Sequence, residues 1–106
     1  MRRVIEGKQY DTATAQEIGS GGGKAYPGDF HYYSESLYKT PRGNFFLAGE
    51  GGPLSRYGRP AYGGGTCGGE GIIPVSKEDA LSWCEEHLDP EDYADSAFFE
   101  DLIEDA

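Results

Sequence analysis

Glycine is concentrated in two parts of the 106-residue chain, and this distribution limits where regular structure can form. Ten of the residues from 49 to 71 are glycine, and a second glycine-rich run covers 19–24. Glycine adds no side chain to a core and loses much backbone entropy when it is ordered. We therefore predict mobile loops near 19–24 and 49–71, within a single acidic domain, residues 1–106, whose core comes from the remaining segments.

The best strand signal lies between the two glycine runs. Residues 36–40 and 44–48 are β-prone and are joined by a short turn that contains Gly43, which predicts the central hairpin of a sheet. Residues 72–75 predict a further short strand. We expect it at an edge of the sheet, because Pro74 cannot donate a ladder hydrogen bond.

The first part of the chain predicts a strand or tight hairpin followed by a short helix. Val4-Ile5 and Gln9-Tyr10 flank the Gly7-Lys8 step, which suits a short strand or tight hairpin. Asp11 can then cap a short N-terminal helix over 13–18.

Two helices are predicted after the last strand. The Ser76 hydroxyl can cap the first helix, whose apolar stripe is Leu81, Cys84 and Leu88. Asp89 and Pro90 repeat the start signal for a last helix over 90–103. The fold class expected is therefore α+β: a small antiparallel sheet of three to four strands with a central hairpin, packed against two C-terminal helices and one short N-terminal helix.

Charge is distributed unevenly along the chain, which has a net charge of −10. Residues 1–75 carry eight basic and seven acidic side chains, whereas residues 76–106 carry one and twelve. Such a negative segment repels nucleic acid and anionic lipid and attracts basic protein surfaces. We expect a basic protein partner, no direct nucleic-acid binding and no membrane association, for a chain that is a monomer or a weak homodimer.

The carboxylates of this segment are the predicted partner-binding residues. If residues 85–105 were helical throughout, they would place a charge about every 3 Å, close to the roughly 3.4 Å phosphate spacing of one B-DNA strand. The segment could then act as a DNA mimic, and the alternative is an ordinary solubilising face. The predicted residues are Glu85, Glu86, Asp89, Glu91, Asp92, Asp95, Glu100, Asp101, Glu104 and Asp105.

Catalysis is not expected from the sequence. Neither Cys67 nor Cys84 has the electropositive surroundings that activate a thiolate, so we predict no catalytic residue and no enzyme activity. No cofactor is expected, although one alternative stays open. Cys84 and His87 lie three residues apart on a predicted helix and could bind zinc, with Cys67 or His31 as a further ligand. A zinc-stabilised interaction module would follow from that alternative.

The sequence also predicts the compartment. Two cysteines are too few for the disulfide framework of a small secreted domain. The chain starts without an apolar signal-peptide region and holds no apolar run of membrane-spanning length. We expect a cytoplasmic protein.

Several short motifs occur in an order that resembles a known group of proteins. They are IEGKQYDTATA at 5–15, LYKT at 37–40, GNFFL at 43–47, GEGGP at 49–53, GGE at 68–70 and the predicted helix around Trp83. Together they cover most of residues 4–93. The chain is similar in these motifs to small proteins carried by phages, plasmids and integrative elements of Gram-positive bacteria.

That resemblance implies a context rather than a set of catalytic residues. In mobile elements, small acidic proteins often block host defence, as anti-CRISPR proteins do. The resemblance therefore implies an inhibitor of a type II CRISPR effector nuclease, whose positively charged nucleic-acid channel is a basic target. Truncation after Leu88 is then expected to abolish inhibition and to leave the upstream fold intact. An accessory regulatory protein of a phage or plasmid is the alternative.

Overall fold

The computed structural model describes residues 1–23, 29–94 and 97–106, and it confirms an α+β fold built on a small antiparallel sheet. Predictions about Lys24 and Asp95 lie outside the described residues. In chain order the elements are β1 (Arg2–Ile5), β2 (Lys8–Asp11), β3 (Gln16–Gly22), β4 (Tyr33–Lys39), β5 (Phe45–Gly51), β6 (Arg59–Pro60), β7 (Thr66–Cys67), β8 (Gly69–Val75), α1 (Lys77–His87) and α2 (Pro90–Tyr93).

The main sheet has four strands in the order β3-β4-β5-β8, and each neighbouring pair is antiparallel. The central hairpin is confirmed as β4 and β5, with Leu37 opposite Leu47. Its turn is closed by Thr40, whose amide donates to the Asn44 carbonyl at 2.8 Å, and Gly43 adopts a φ of 88°. Glycine tolerates that left-handed conformation without steric cost. β8 lies at one edge, as Pro74 predicts.

One face of the sheet packs against α1 and the C-terminal segment, and we call it the helix face. Side chains alternate along a strand, so Leu37, Phe45 and Leu47 point to this face together. They meet the buried side chains of α1 and of the segment after it, which are Ala80, Trp83, Cys84, Tyr93 and Phe99. Burying each large apolar side chain stabilises the fold by about 1.5–3 kcal/mol. This cluster is the main core.

The opposite face packs against the hairpin formed by β1 and β2. Tyr10 of β2 contacts Phe46 edge-on, with ring centroids 5.5 Å apart, and Tyr38 stacks on the same Phe46 ring at 5.2 Å. Ile72 completes this smaller cluster. The hairpin predicted within residues 4–10 is therefore confirmed, and it covers the second face of the sheet.

The start of α1 confirms the predicted cap. Ser76 has extended backbone angles, and its hydroxyl accepts a hydrogen bond from the Asp79 amide at 3.1 Å. Glu78 and Asp79 lie in the first turn, where carboxylates favour the positive end of the helix dipole. α1 ends at His87, and the backbone of Leu88 is extended.

The predicted N-terminal helix and the predicted loop at 19–24 are both wrong over the described residues. Residues 12–14 form a turn after Asp11, and β3 then covers Gln16–Gly22. The reason is tertiary packing: a Cβ at Gly19 would lie 2.6 Å from Leu88 Cδ1, and one at Gly21 would lie 2.8 Å from His87 Nδ1. Glycine in β3 lets the end of α1 approach the sheet closely, which local propensity does not reveal.

The loop predicted at 49–71 and the helix predicted over 90–103 are each correct only in part. Within 49–71, the chain continues β5 to Gly51, forms the two-residue strands β6 and β7, and starts β8 at Gly69. The last helix predicted over 90–103 is instead α2 with four residues, and residues 97–102 form turns. The amides of Leu102 and Ile103 donate to the Phe99 carbonyl, and the Phe99 ring is buried in the core.

Within the described residues, no helix has both the length and the apolar character needed to cross a membrane.

Candidate interaction surface

The acidic residues predicted to bind a partner are all at the surface in the described part of the chain. Nine of the ten are described, and each is exposed; Asp95 lies outside the described residues. They form two groups, one from the end of α1 through α2 and one at the end of the chain. We call these nine residues together the C-terminal acidic surface: Glu85, Glu86, Asp89, Glu91, Asp92, Glu100, Asp101, Glu104 and Asp105.

Most of this surface has no neutralising partner among the described residues. Lys77 Nζ lies 2.5 Å from Asp101 Oδ1, and this hydrogen bond lowers the pKa of Asp101. His87 Nε2 lies 4.0 Å from Glu86 Oε2. Among the residues that the structure describes, no lysine or arginine lies within 4.0 Å of the other carboxylates in this surface. The segment therefore presents a largely uncompensated negative charge.

The carboxylates of residues 85–105 do not follow the regular spacing of DNA phosphates that a continuous helix would give. The prediction of a DNA mimic assumed a helical path over 85–105, whereas α1 ends at His87 and α2 stops at Tyr93. Charges on a chain that turns do not follow a regular 3 Å repeat. What supports binding is the amount of exposed charge, not a match to phosphate spacing.

Aromatic side chains hold the acidic surface against the core. The Phe99 ring is 0% exposed and stacks on Phe45 with centroids 5.3 Å apart. Tyr93 is buried and meets Phe99 edge-on at 6.4 Å. These two rings anchor the backbone next to the carboxylates on the main core.

A buried carboxylate, Glu35, was not identified by sequence reasoning. Its side chain is 2% exposed, yet it accepts two hydrogen bonds of 2.7 Å: Tyr57 Oη donates to Oε1, and Trp83 Nε1 donates to Oε2. Arg56 Nη1 lies 3.7 Å from Oε1 and offsets the charge. A buried carboxylate needs this set of donors, because an unpaired one would carry a large desolvation cost.

The Glu35 network joins three parts of the fold. Glu35 belongs to β4, Trp83 to α1, and Tyr57 to residues 52–58, which we call the 52–58 loop. Burial, followed by the hydrogen bond to Glu35, raises the pKa of Tyr57. Both Glu35 oxygens are occupied by donors within the chain. The network therefore fixes the loop and the helix on the sheet and does not present a carboxylate to a ligand.

One sequence signal points to Glu35. It lies two residues before Leu37 on the same strand, and the period-two rule sends both side chains to the same face. Its register partners on the neighbouring strands are Gly21 and Gly49, and Gly71 pairs with Gly49 on the next strand. These glycines leave room above the sheet for other groups. The partners Tyr57 and Trp83 lie 22 and 48 residues away, and no local pattern predicts such contacts.

The four candidate zinc ligands occupy different environments. Cys84 is buried in the main core, and burial raises the pKa of its thiol to about 11. Cys67 is exposed in β7, His31 lies beside Asp29, and the His87 ring lies 4.7 Å from the Trp83 ring. Within residues 1–23, 29–94 and 97–106, no three His, Cys, Asp or Glu side chains form a group that could hold a metal ion. The zinc alternative stays a prediction.

Comparisons with protein-family models, with curated proteins and with solved structures gave no match to the chain.

Proposed function

We propose that the chain is a non-catalytic binding protein that inhibits a nucleic-acid enzyme by covering the enzyme's basic surface. The observation that carries the proposal is the C-terminal acidic surface, which is exposed, fixed by Phe99 and largely without neutralising cations in the described residues. A type II CRISPR effector nuclease is the candidate target, and the step blocked is DNA loading or cleavage. This choice of target rests on the motif resemblance, and the mode of binding rests on the charge.

Negative charge on the C-terminal acidic surface affects both the association with a basic partner and the competition with DNA. A negative surface raises the local concentration of a positively charged partner and accelerates association, increasingly so at low ionic strength. The channel of an RNA-guided nuclease is positively charged because it holds nucleic-acid backbones. A protein bound in that channel competes with DNA for the same cations. Binding should weaken steadily as salt is added.

The test uses two variants that change net charge equally at different places. Glu85→Gln/Glu86→Gln removes two charges from the acidic surface. Glu6→Gln/Glu17→Gln removes two exposed charges from the other part of the chain. We expect the first variant to inhibit DNA cleavage by the nuclease about threefold to tenfold more weakly, since an exposed charge pair contributes about 0.2–1 kcal/mol. The control should match the unmodified chain.

The comparison of the two variants distinguishes an effect of the C-terminal acidic surface from an effect of net charge. Equal weakening by both variants would mean that only net charge matters and would contradict a defined surface. Unchanged cleavage with every form of the chain would remove the CRISPR nuclease as target. Capture of a different partner encoded by a phage or plasmid would then support the accessory regulatory protein.

Truncation after Leu88 is not a suitable test of this proposal. It deletes Tyr93 and Phe99, which are buried in the main core, so lost inhibition would also follow from unfolding. The expectation that the upstream fold stays intact is therefore withdrawn. Substitution of exposed carboxylates changes charge and leaves the core unchanged.

A further inference from the structure

A cavity of about 560 Å³ lies where β5 ends and β8 begins. None of the lining residues that the structure describes belongs to the C-terminal acidic surface. The volume of the cavity is within the roughly 300–1,000 Å³ typical of ligand sites. The side chains that shape it are Asp29, Phe30, Tyr32, Glu50, Pro53 and Glu70, and glycines complete the lining. It therefore combines an apolar wall with three carboxylates, and none of its described lining residues is basic.

Two of these carboxylates face each other across the sheet. Glu50 of β5 and Glu70 of β8 are register partners, and like charges directly opposite on neighbouring strands destabilise a sheet. In the described part of the chain, no Lys, Arg or His side chain lies within 4.0 Å of either carboxylate. Arg59 is close, but its guanidinium donates to the backbone carbonyl of Glu70. Within the described residues, the pair therefore has no cation at ion-pair distance to offset its repulsion.

The wall beside this pair is aromatic and open to solvent. Phe30 is 63% exposed, and its carbonyl accepts a hydrogen bond from the Leu54 amide at 2.8 Å. Leu54 is itself 56% exposed, so this backbone contact joins two residues with exposed apolar side chains. Asp29 is partly engaged, because its Oδ1 accepts from the His31 amide at 2.7 Å. Glu50 and Glu70 are the carboxylates left to meet a ligand.

We propose that this cavity receives an arginine side chain of the protein partner. A guanidinium stacks on an aromatic ring, as Phe30 and Tyr32 allow, and it presents a planar set of donors that can bridge two carboxylates. Arginine fits better than lysine, whose ammonium neither stacks nor spans two acceptors in one plane. This inference takes from the proposed function only that the partner is a basic protein. It adds a contact, separate from the C-terminal acidic surface, that selects arginine on the partner.

The experiment uses a short peptide, so it does not depend on the identity of the target. Amide signals of the full chain are followed by NMR during titration with acetyl-Gly-Arg-Gly-amide. The same peptide with citrulline, which keeps the shape and lacks the charge, is the ligand control. Acetyl-Gly-Lys-Gly-amide is the second ligand control. We expect shifts at Glu50–Gly52 and at Gly68–Glu70 with the arginine peptide, and smaller ones with the lysine and citrulline peptides.

Variants then locate the binding. Glu50→Gln/Glu70→Gln and Phe30→Ala should each weaken the peptide about threefold to tenfold, whereas Glu6→Gln/Glu17→Gln should leave it unchanged. The Glu50→Gln/Glu70→Gln form should also melt at a higher temperature, since a repulsive pair is removed. A lower melting temperature would mean that the carboxylates already have a favourable partner, and it would overturn the proposal.

Two other results would also overturn the proposal. One is equal binding of the citrulline peptide. The other is a set of shifts confined to residues 85–105, which would place the cation on the C-terminal acidic surface and would favour the proposed function alone. Conversely, arginine-peptide binding at the cavity by a chain that inhibits no nuclease would support this site and count against the proposed target.

Discussion

At the scale of single residues, Glu35 shows how a small domain accommodates a charge in its interior. Its two oxygens receive donors from two other parts of the fold, and Arg56 supplies a nearby positive charge. Such a network adds little net stability compared with apolar packing, but removing one member leaves the others unpaired. Its effect is to fix which conformation the 52–58 loop adopts.

Replacement of Glu35 should therefore be costly. We expect Glu35→Ala to lower the free energy of unfolding by about 3–5 kcal/mol, because it leaves Tyr57 Oη and Trp83 Nε1 buried without an acceptor. Trp83→Phe should cost less, about 1–3 kcal/mol at the hydrogen bond, since Glu35 keeps Tyr57 and Arg56. Urea unfolding followed by circular dichroism measures both values.

Ser36→Ala is the matched control for Glu35→Ala. Ser36 is the next residue of β4, points to the other face of the sheet and is half-buried. We expect a change within about 0.5 kcal/mol. A comparable loss for Ser36→Ala would show that β4 is sensitive at every position and that the Glu35 network is not special.

At the scale of elements, the sequence predicts segments with strong local signals. The β4–β5 hairpin, the edge strand β8 and the capped start of α1 follow from alternation, turn residues and a serine cap. β3 could not be predicted in this way, because Gly19 and Gly21 do not favour a strand locally. They allow Leu88 and His87, at the end of α1, to lie close to the sheet. The last helix predicted over 90–103 ends at Tyr93, and the turns that follow bring Phe99 against Phe45 on the sheet, a contact that local signals do not specify.

The candidate sites likewise differ in whether the local sequence predicts them. The exposed C-terminal carboxylates can be read from composition, because charge run and exposure go together. The Glu35 network and the cavity beside Glu50 depend on residues far apart in the sequence, such as Asp29 and Glu70. Their position follows from strand order, which no local pattern specifies.

Two glycines that face each other on β5 and β8 give a test at this scale. A Cβ at Gly49 would lie 2.5 Å from the Ser34 carbonyl oxygen and 2.8 Å from Tyr57 Oη, whereas one at Gly71 meets only Tyr57 Cδ1, at 3.9 Å. We expect Gly49→Ala to destabilise the fold by about 1–3 kcal/mol. Gly71→Ala should stay within about 0.5 kcal/mol. Thermal unfolding of both variants measures the difference, and equal losses would contradict the packing described for the 52–58 loop.

At the scale of the whole molecule, negative charge and core packing are combined in one segment. Residues 76–106 hold twelve of the nineteen carboxylates and also contribute Trp83, Cys84, Tyr93 and Phe99 to the main core. The acidic surface is thus part of the folded unit, and exposure of its charges cannot be separated from the stability of the domain.

Stability should fall in alkaline solution. Burial is the main cause that raises the pKa of Cys84 from 9.0 to about 11, and it also raises the pKa values of Tyr38, Tyr57 and Tyr93 above 10.0. The unfolded chain therefore releases these protons first, so it binds fewer protons than the native state above about pH 9. The free energy of unfolding then decreases by up to about 1.4 kcal/mol per pH unit for each group.

Urea midpoints measured from pH 7 to pH 11 check this expectation. These groups should cause no change below about pH 8.5, and a decline should follow between pH 9 and 11. Cys67→Ser is the control, since that side chain is exposed and lies outside the main core. A constant midpoint up to pH 11 would contradict the burial of Cys84.

Trp83 is the single tryptophan of the chain, and its indole N–H is bound to the same carboxylate that holds the 52–58 loop. Indole emission depends on the polarity around the ring, so this one chromophore reports on the contact between helix and loop. A ligand entering beside Pro53 and shifting that loop should change the emission wavelength. Binding can then be followed optically on the unlabelled protein.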